Sequence, residues 1–266
     1  MRNRLLALLA LAALGLATTQ ASAQTSVLVP TVQTGFLVGP IGGINLVAYN
    51  TDAFPILNSE KTCFTAQNGS DIAPWGGLTL EYPLGNANEL QNFIVFEAIY
   101  DSKSSKFTSQ NGSSPATPTK KNGVEYDGSV TTALDANLSY LLINLHYKYN
   151  FTPGPSPIGP GIQIGPSVGI KMTANLNKTV TVTASSGNAA SPMATATVTA
   201  TSAAPNASGI RLALRAAATY DVPFTQEWIA TPIVGYDFPI TKVNTDYNWK
   251  ASAVFAGIAF RYFIRG

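Results

Sequence analysis

Histidine occurs once in this 266-residue chain, at position 146, and any catalytic reading must start there. A hydrolase would pair His146 with a serine such as Ser139 or Ser167. A zinc centre would need a second ligand histidine, which the chain lacks. The single cysteine, Cys63, cannot close an intramolecular disulfide, and its polar surroundings make it incidental. No glycine-rich phosphate loop follows a strand and opens a helix. Asp52 and Asp101 read as loop acids, too widely spaced for a calcium site. What remains is an electrostatic set: Glu81, Glu97, His146, Lys148, Lys171, Arg211, Arg215, Asp221, Asp237 and Arg261. These residues share one property: each occupies the polar parity of an alternating segment.

The segments that position them are strands. Residues 141–151 alternate Leu141, Ile143, Leu145, Tyr147, Tyr149 and Phe151 with Asn144, His146, Lys148 and Asn150. Successive side chains of a strand leave opposite faces, so this is a β-strand with one apolar and one polar face. The polar face carries cations, an imidazole and amides, and the apolar face ends in aromatics. That distribution suits a strand facing lipid outside and a polar lumen inside. The rest of the chain repeats it. Segments at about 35–49, 75–84, 91–100, 137–151, 161–173, 209–222, 231–240 and 249–264 make eight expected strands. The segment at 91–100 alternates least cleanly, because Phe93, Val95 and Ile99 share the inner parity with Glu97.

Long polar stretches at 50–74, 101–135 and 174–208 alternate with short turns. This is the rhythm of outer-membrane barrels, whose periplasmic turns are short and extracellular loops long. Within 174–208, Thr179-Val-Thr-Val-Thr-Ala184 and Thr195-Ala-Thr-Val-Thr-Ala-Thr201 flank a Ser/Gly/Asn/Pro centre. Two β-branched runs around a turn cluster predict a hairpin that extends the fifth and sixth strands beyond the membrane.

The first residues supply the export route. Met1-Arg-Asn-Arg4 is basic, 5–17 is apolar, and Ala21-Ser-Ala23 has the small residues of a cleavage site. A secretory signal peptide over 1–23 is expected, removed after Ala23 on Sec-dependent export. The mature barrel domain is then 24–266. Lys and Arg total 16 against 14 Asp and Glu, and loss of Arg2 and Arg4 leaves the mature chain neutral. No basic stripe is present, so no nucleic-acid partner is expected. Charged residues are only 11% of the chain, against roughly 25% in soluble domains. No later run approaches the ~18–20 apolar residues of a membrane helix, which leaves a closed barrel as the spanning structure.

Gly76-Gly-Leu-Thr-Leu-Glu-Tyr-Pro-Leu84, Tyr140-Leu-Leu-Ile-Asn-Leu-His-Tyr-Lys-Tyr149 leading into Gln163-Ile-Gly-Pro-Ser-Val-Gly169, and Ala256-Gly-Ile-Ala-Phe-Arg-Tyr-Phe-Ile264 carry a family likeness. The chain resembles the small OmpA/OmpX-type outer-membrane β-barrels, in particular the PorT-like outer-membrane barrel domains. Such barrels often end on an aromatic residue, whereas this chain continues past Phe263 with Ile264-Arg-Gly266. The resemblance implies an outer-membrane location, the bilayer and the barrel-assembly machinery as partners, and no cofactor. It also suggests a gated path of exchanging Arg–Glu pairs for the lumen charges; the other reading is a polar plug, because an eight-stranded interior is just wide enough for side chains to fill it. Lipid A-modifying barrels of similar build hold their catalytic pair near the rim, whereas period two turns His146 inward beside Lys148. No enzyme activity is therefore expected.

The expected fold is all-β: about eight antiparallel strands in an up-and-down transmembrane barrel. The expected function is a structural or surface-interaction scaffold, binding an extracellular ligand through 50–74, 101–135 and 174–208, with a plugged lumen. The alternative is a narrow pore. Less favoured are a lipid-modifying enzyme and a soluble lipocalin-like binder, which would put the apolar face inside and Arg211 and Arg215 in water.

Overall fold

The computed structural model describes residues 35–51, 54–55, 65–85, 90–109, 114–121, 124–152, 158–186, 194–204, 206–225, 227–244 and 248–265. The signal-peptide segment 1–23 and Cys63 lie outside the described residues. The strands are β1 (Gly35–Thr51), β2 (Phe54–Pro55), β3 (Thr65–Leu84), β4 (Asn92–Ser102), β5 (Ser105–Ser109) and β6 (Ser114–Lys121). They continue with β7 (Val124–Asn150), β8 (Gly159–Ser186), β9 (Ala194–Ala203), β10 (Ile210–Pro223), β11 (Trp228–Pro239) and β12 (Trp249–Arg265).

Eight of them close a ring. β1 pairs β3, β3 pairs β4, then β7, β8, β10, β11 and β12 follow, and β12 returns to β1. Every pairing is antiparallel and joins ring neighbours in chain order. The all-β up-and-down barrel expected from the alternation is the fold observed. Closure leaves no unpaired edge within the ring, the condition for a sheet to span lipid.

Outside and inside are inverted relative to a soluble barrel. Ile162, Ile164, Val168, Ile170, Leu212, Leu214, Phe238, Ile258 and Phe260 are exposed on the outer face. Arg211, Arg215, Asp221 and Arg261, one position away in the pleat, are buried within. A lipocalin-like binder would show the reverse. Aromatics gather outside at one end: Phe224 stacks on Trp228 at 6.4 Å, and Trp228 meets Tyr262 at 5.2 Å. Such a girdle is characteristic of a bilayer interface.

Three stretches expected as long loops carry strand. β3 begins at Thr65, inside 50–74. The 101–135 stretch contains β5, β6 and the first part of β7. The hairpin expected in 174–208 is observed, with β8 running on to Ser186 and β9 returning beside it. At about 3.3 Å per residue the 28-residue β8 is roughly 90 Å long. A tilted crossing uses only about 9–11 residues, so the ring continues as a sheet well past its apolar band.

One irregularity matters for the interior. Ser139 lies opposite Thr173 and Tyr140 opposite Lys171, leaving Met172 as an extra residue on β8. This β-bulge reverses the parity of β8. Below it the odd residues Gln163, Ser167 and Gly169 are buried; above it Leu176 is buried and Thr173 is exposed.

Candidate functional site

Among the described residues the reactive side chains concentrate in the lumen, which is layered. At the end where β1 begins and β12 finishes, Leu37, Leu90, Phe93, Val95, Ile229 and Phe263 form a buried apolar cluster. Phe93 and Val95 belong to the segment whose alternation was least clean. Their inward position is explained by this cluster, which needs apolar groups on the lumen side of β4.

Above it lies a ring of alternating charge. Lys148 Nζ stands 2.8 Å from Asp221 and 3.2 Å from Glu81. Arg261 reaches the same two carboxylates from β12 and closes the ring. Thr231 donates to Asp221 at 2.7 Å, and Asn150 at 3.2 Å. All four charged groups are buried. Strand register sets the two cations directly beside the apolar cluster: Phe93 stands opposite Lys148, and Ile229 opposite Arg261.

The middle layer is less tightly paired. Asn144 donates to Glu97 at 2.8 Å, while His146 Nδ1 lies 3.8 Å from Glu97, beyond hydrogen-bond range. Arg215 forms no ion pair among the described residues. Its guanidinium lies 4.1 Å from the centre of the Phe255 ring and 5.8 Å from that of Trp75. A cation over an aromatic face is attracted by the ring quadrupole, the more so away from water.

A second row of alternating charge follows. Lys103 bridges Asp101 at 3.0 Å and Asp237 at 3.1 Å. Arg211 holds Asp237 at 2.9 Å and donates to the Ala251 carbonyl at 3.0 Å. Asn45 donates to Asp101. Asp101 and Lys103 were not among the expected lumen groups, and Asp101 is not a loop acid: it sits in β4, 1% exposed. The signal was present, because the odd positions of 93–101 all face inward. The far end is closed by a larger apolar cluster including Tyr49, Phe107, Leu134, Leu138, Val243 and Trp249. Tyr49 lies 5.6 Å from Phe107 and 5.5 Å from Trp249, ring centre to ring centre.

Of the ten residues singled out in the sequence, nine are buried in these layers: Glu81, Glu97, His146, Lys148, Arg211, Arg215, Asp221, Asp237 and Arg261. Lys171 is the exception. It sits half-buried at the bulge and donates to the Ala207 carbonyl at 2.8 Å, apart from both charged layers. Constant alternation would have turned it inward; the extra residue at Met172 ends that alternation.

Ser139 does not meet His146. Its hydroxyl is hydrogen-bonded to Thr173 at 2.6 Å. Neither His146 nitrogen nor the Ser167 hydroxyl has a hydrogen-bond partner among the described residues. No group of three or more potential metal ligands occurs among the described residues.

No protein-family model matches the chain, and no curated protein matches it in sequence. Solved structures are similar to it at low identity. OprG, an outer membrane protein from Pseudomonas aeruginosa, is 13% identical with a TM-score of 0.39, covering 90% of this chain and 100% of that one. Ail, the attachment invasion locus protein of Yersinia pestis, is 8% identical with a TM-score of 0.34, covering 86% and 100%. Neisserial surface protein A is 13% identical with a TM-score of 0.33, covering 86% and 97%. At those scores nothing about function passes from them to this chain.

Proposed function

We propose that the chain is an integral outer-membrane barrel serving as a closed scaffold that presents its extended strands and their connections to the cell exterior. Export by the Sec route with cleavage near Ala23, assembly by the barrel-assembly machinery, and an extracellular ligand at 50–74, 101–135 or 174–208 belong to this reading. One observation carries it: apolar clusters around Phe93 and Phe263 at one end, and around Phe107 and Trp249 at the other, cap a lumen whose charges are mostly paired within it. Ion passage would need both clusters to part and the salt bridges to exchange partners. Breaking a buried pair leaves an uncompensated charge and costs about 3–5 kcal/mol. The narrow-pore alternative therefore faces two dry barriers in series. Rigid frameworks that hold their working segments outside are suited to recognition.

The test is single-channel recording of the refolded chain in a planar bilayer, alongside a variant with both Arg211 and Arg215 changed to Ala. The closed scaffold predicts insertion without discrete conductance steps. Reproducible steps from the unaltered chain that change in the variant would establish the pore instead.

A further inference from the structure

We infer that β9 is a self-adhesive edge that pairs with β9 of a second copy of this chain held in a facing membrane; this rests on the reading of the chain as a membrane barrel with β9 outside. Among the described residues β9 pairs with β8 alone, so its other side presents a row of backbone donors and acceptors. Natural proteins blunt such edges with charges, especially lysine, or with proline. Ala194–Ala203 has neither.

The sequence of the edge supplies its partner. Residues 195–201 read Thr-Ala-Thr-Val-Thr-Ala-Thr, the same in both directions about Val198. In an antiparallel pair of two such strands centred on Val198, each residue faces its own type. Thr195 meets Thr201, Ala196 meets Ala200, and Thr197 meets Thr199. Threonine pairs are among the favourable cross-strand combinations. The sheet already makes this ladder once: Thr179, Val180 and Thr181 of β8 stand opposite Thr199, Val198 and Thr197 of β9. A second β9 would repeat it on the free side.

Direction decides where the second copy sits. β9 leads back from the outer tip of its hairpin with β8 toward the ring, where β10 begins. Two copies in one membrane run the same way. A twofold axis along the membrane normal would then set N–H against N–H at equal height, and no ladder forms. Copies in two apposed membranes run in opposite directions, and a twofold between them gives an isologous antiparallel pairing. The consequence is homotypic adhesion between membranes that carry the chain.

Proteoliposomes bearing the full refolded chain test this by turbidity and sedimentation. Vesicles with the unaltered chain should cluster. Val198→Lys and Val198→Glu should each abolish clustering, because the residue on the axis faces its own copy and like charges meet. Mixing Val198→Lys vesicles with Val198→Glu vesicles should restore it. Heat-dependent gel mobility reports barrel folding separately for every protein used. Folded, unaltered chains that do not cluster would overturn the inference and leave the barrel reading standing. So would clustering that persists in both single variants, or folded variants that fail to cluster when mixed. Unaltered chain without the heat-dependent shift would remove the barrel reading and the inference together.

Discussion

The Lys148 ammonium lies between two carboxylates from opposite sides of the barrel, 2.8 Å from Asp221 on β10 and 3.2 Å from Glu81 on β3. With Arg261 it makes each carboxylate face two cations and each cation face two carboxylates. The arrangement is neutral as a unit and incomplete without any one member.

Lys148→Met should therefore cost far more than the loss of one exposed pair. It leaves Glu81 and Asp221 sharing Arg261 in a dry interior. Removing one partner of a buried pair typically costs about 3–5 kcal/mol. Urea titration of the refolded barrel should show the midpoint falling by that equivalent, with the slope unchanged. A midpoint within about 0.5 kcal/mol of the parent would mean that this ring is hydrated rather than buried.

The second charged layer offers an internal comparison. Asp101→Asn removes a carboxylate that Lys103 and Asn45 both address, leaving Asp237 to balance Lys103 and Arg211. Asp71→Asn removes a carboxylate whose contact with Lys106 is 3.9 Å long, with the lysine 69% exposed. The first change should destabilise by roughly 3 kcal/mol or more, the second by less than about 1 kcal/mol. Equal effects in the same titration would show that Asp101 is not held in a buried network.

Much of the interior could be read from parity alone, and the exceptions have physical causes. Inward positions of β7, β10 and β12 are spelled out by His146, Lys148, Arg211, Arg215 and Arg261, because lipid on one face and charge on the other give strong contrast. Asp101 and Lys103 continue the inward parity of Phe93, Val95, Glu97 and Ile99, but the surrounding Ser/Lys composition resembles a loop. Lys171 reads as inward because Ile170 and Met172 are both apolar, so nothing marks the extra residue between the two halves of β8. The strand in 101–135 is invisible for a related reason, whereas the hairpin past Thr173 is legible only because its two β-branched runs flank a turn cluster. Past the apolar band water replaces lipid outside, and threonine, alanine and serine serve either face.

Trp249→Ala tests the upper closure. The indole packs against Tyr49 and Phe107, with ring centres 5.5 and 5.8 Å away, and the residue is 1% exposed. Truncating a buried aromatic to alanine costs about 3–5 kcal/mol, through lost burial and the cavity left behind. The folding midpoint should drop accordingly, while the planar bilayer stays silent, because the cluster at Phe93 and Phe263 is untouched. Discrete conductance from this single variant would show that the upper cluster alone closes the lumen.

Ile164→Arg addresses which face meets lipid. Ile164 is 47% exposed on β8, between Ile162 and Val168 in the outer apolar row. On a water-facing surface an exposed isoleucine can be exchanged for arginine at little cost. In the middle of a lipid-facing band the same change costs about 2–4 kcal/mol, falling to roughly 0–1 near the interface. Asn175→Arg is the matched control: Asn175 is exposed on the same strand, past the apolar row and the bulge. Refolding into lipid vesicles under a urea gradient should show a large loss for Ile164→Arg and a small one for Asn175→Arg. Equal, small losses would place Ile164 in water, and the inverted barrel with its charged interior would have to be abandoned.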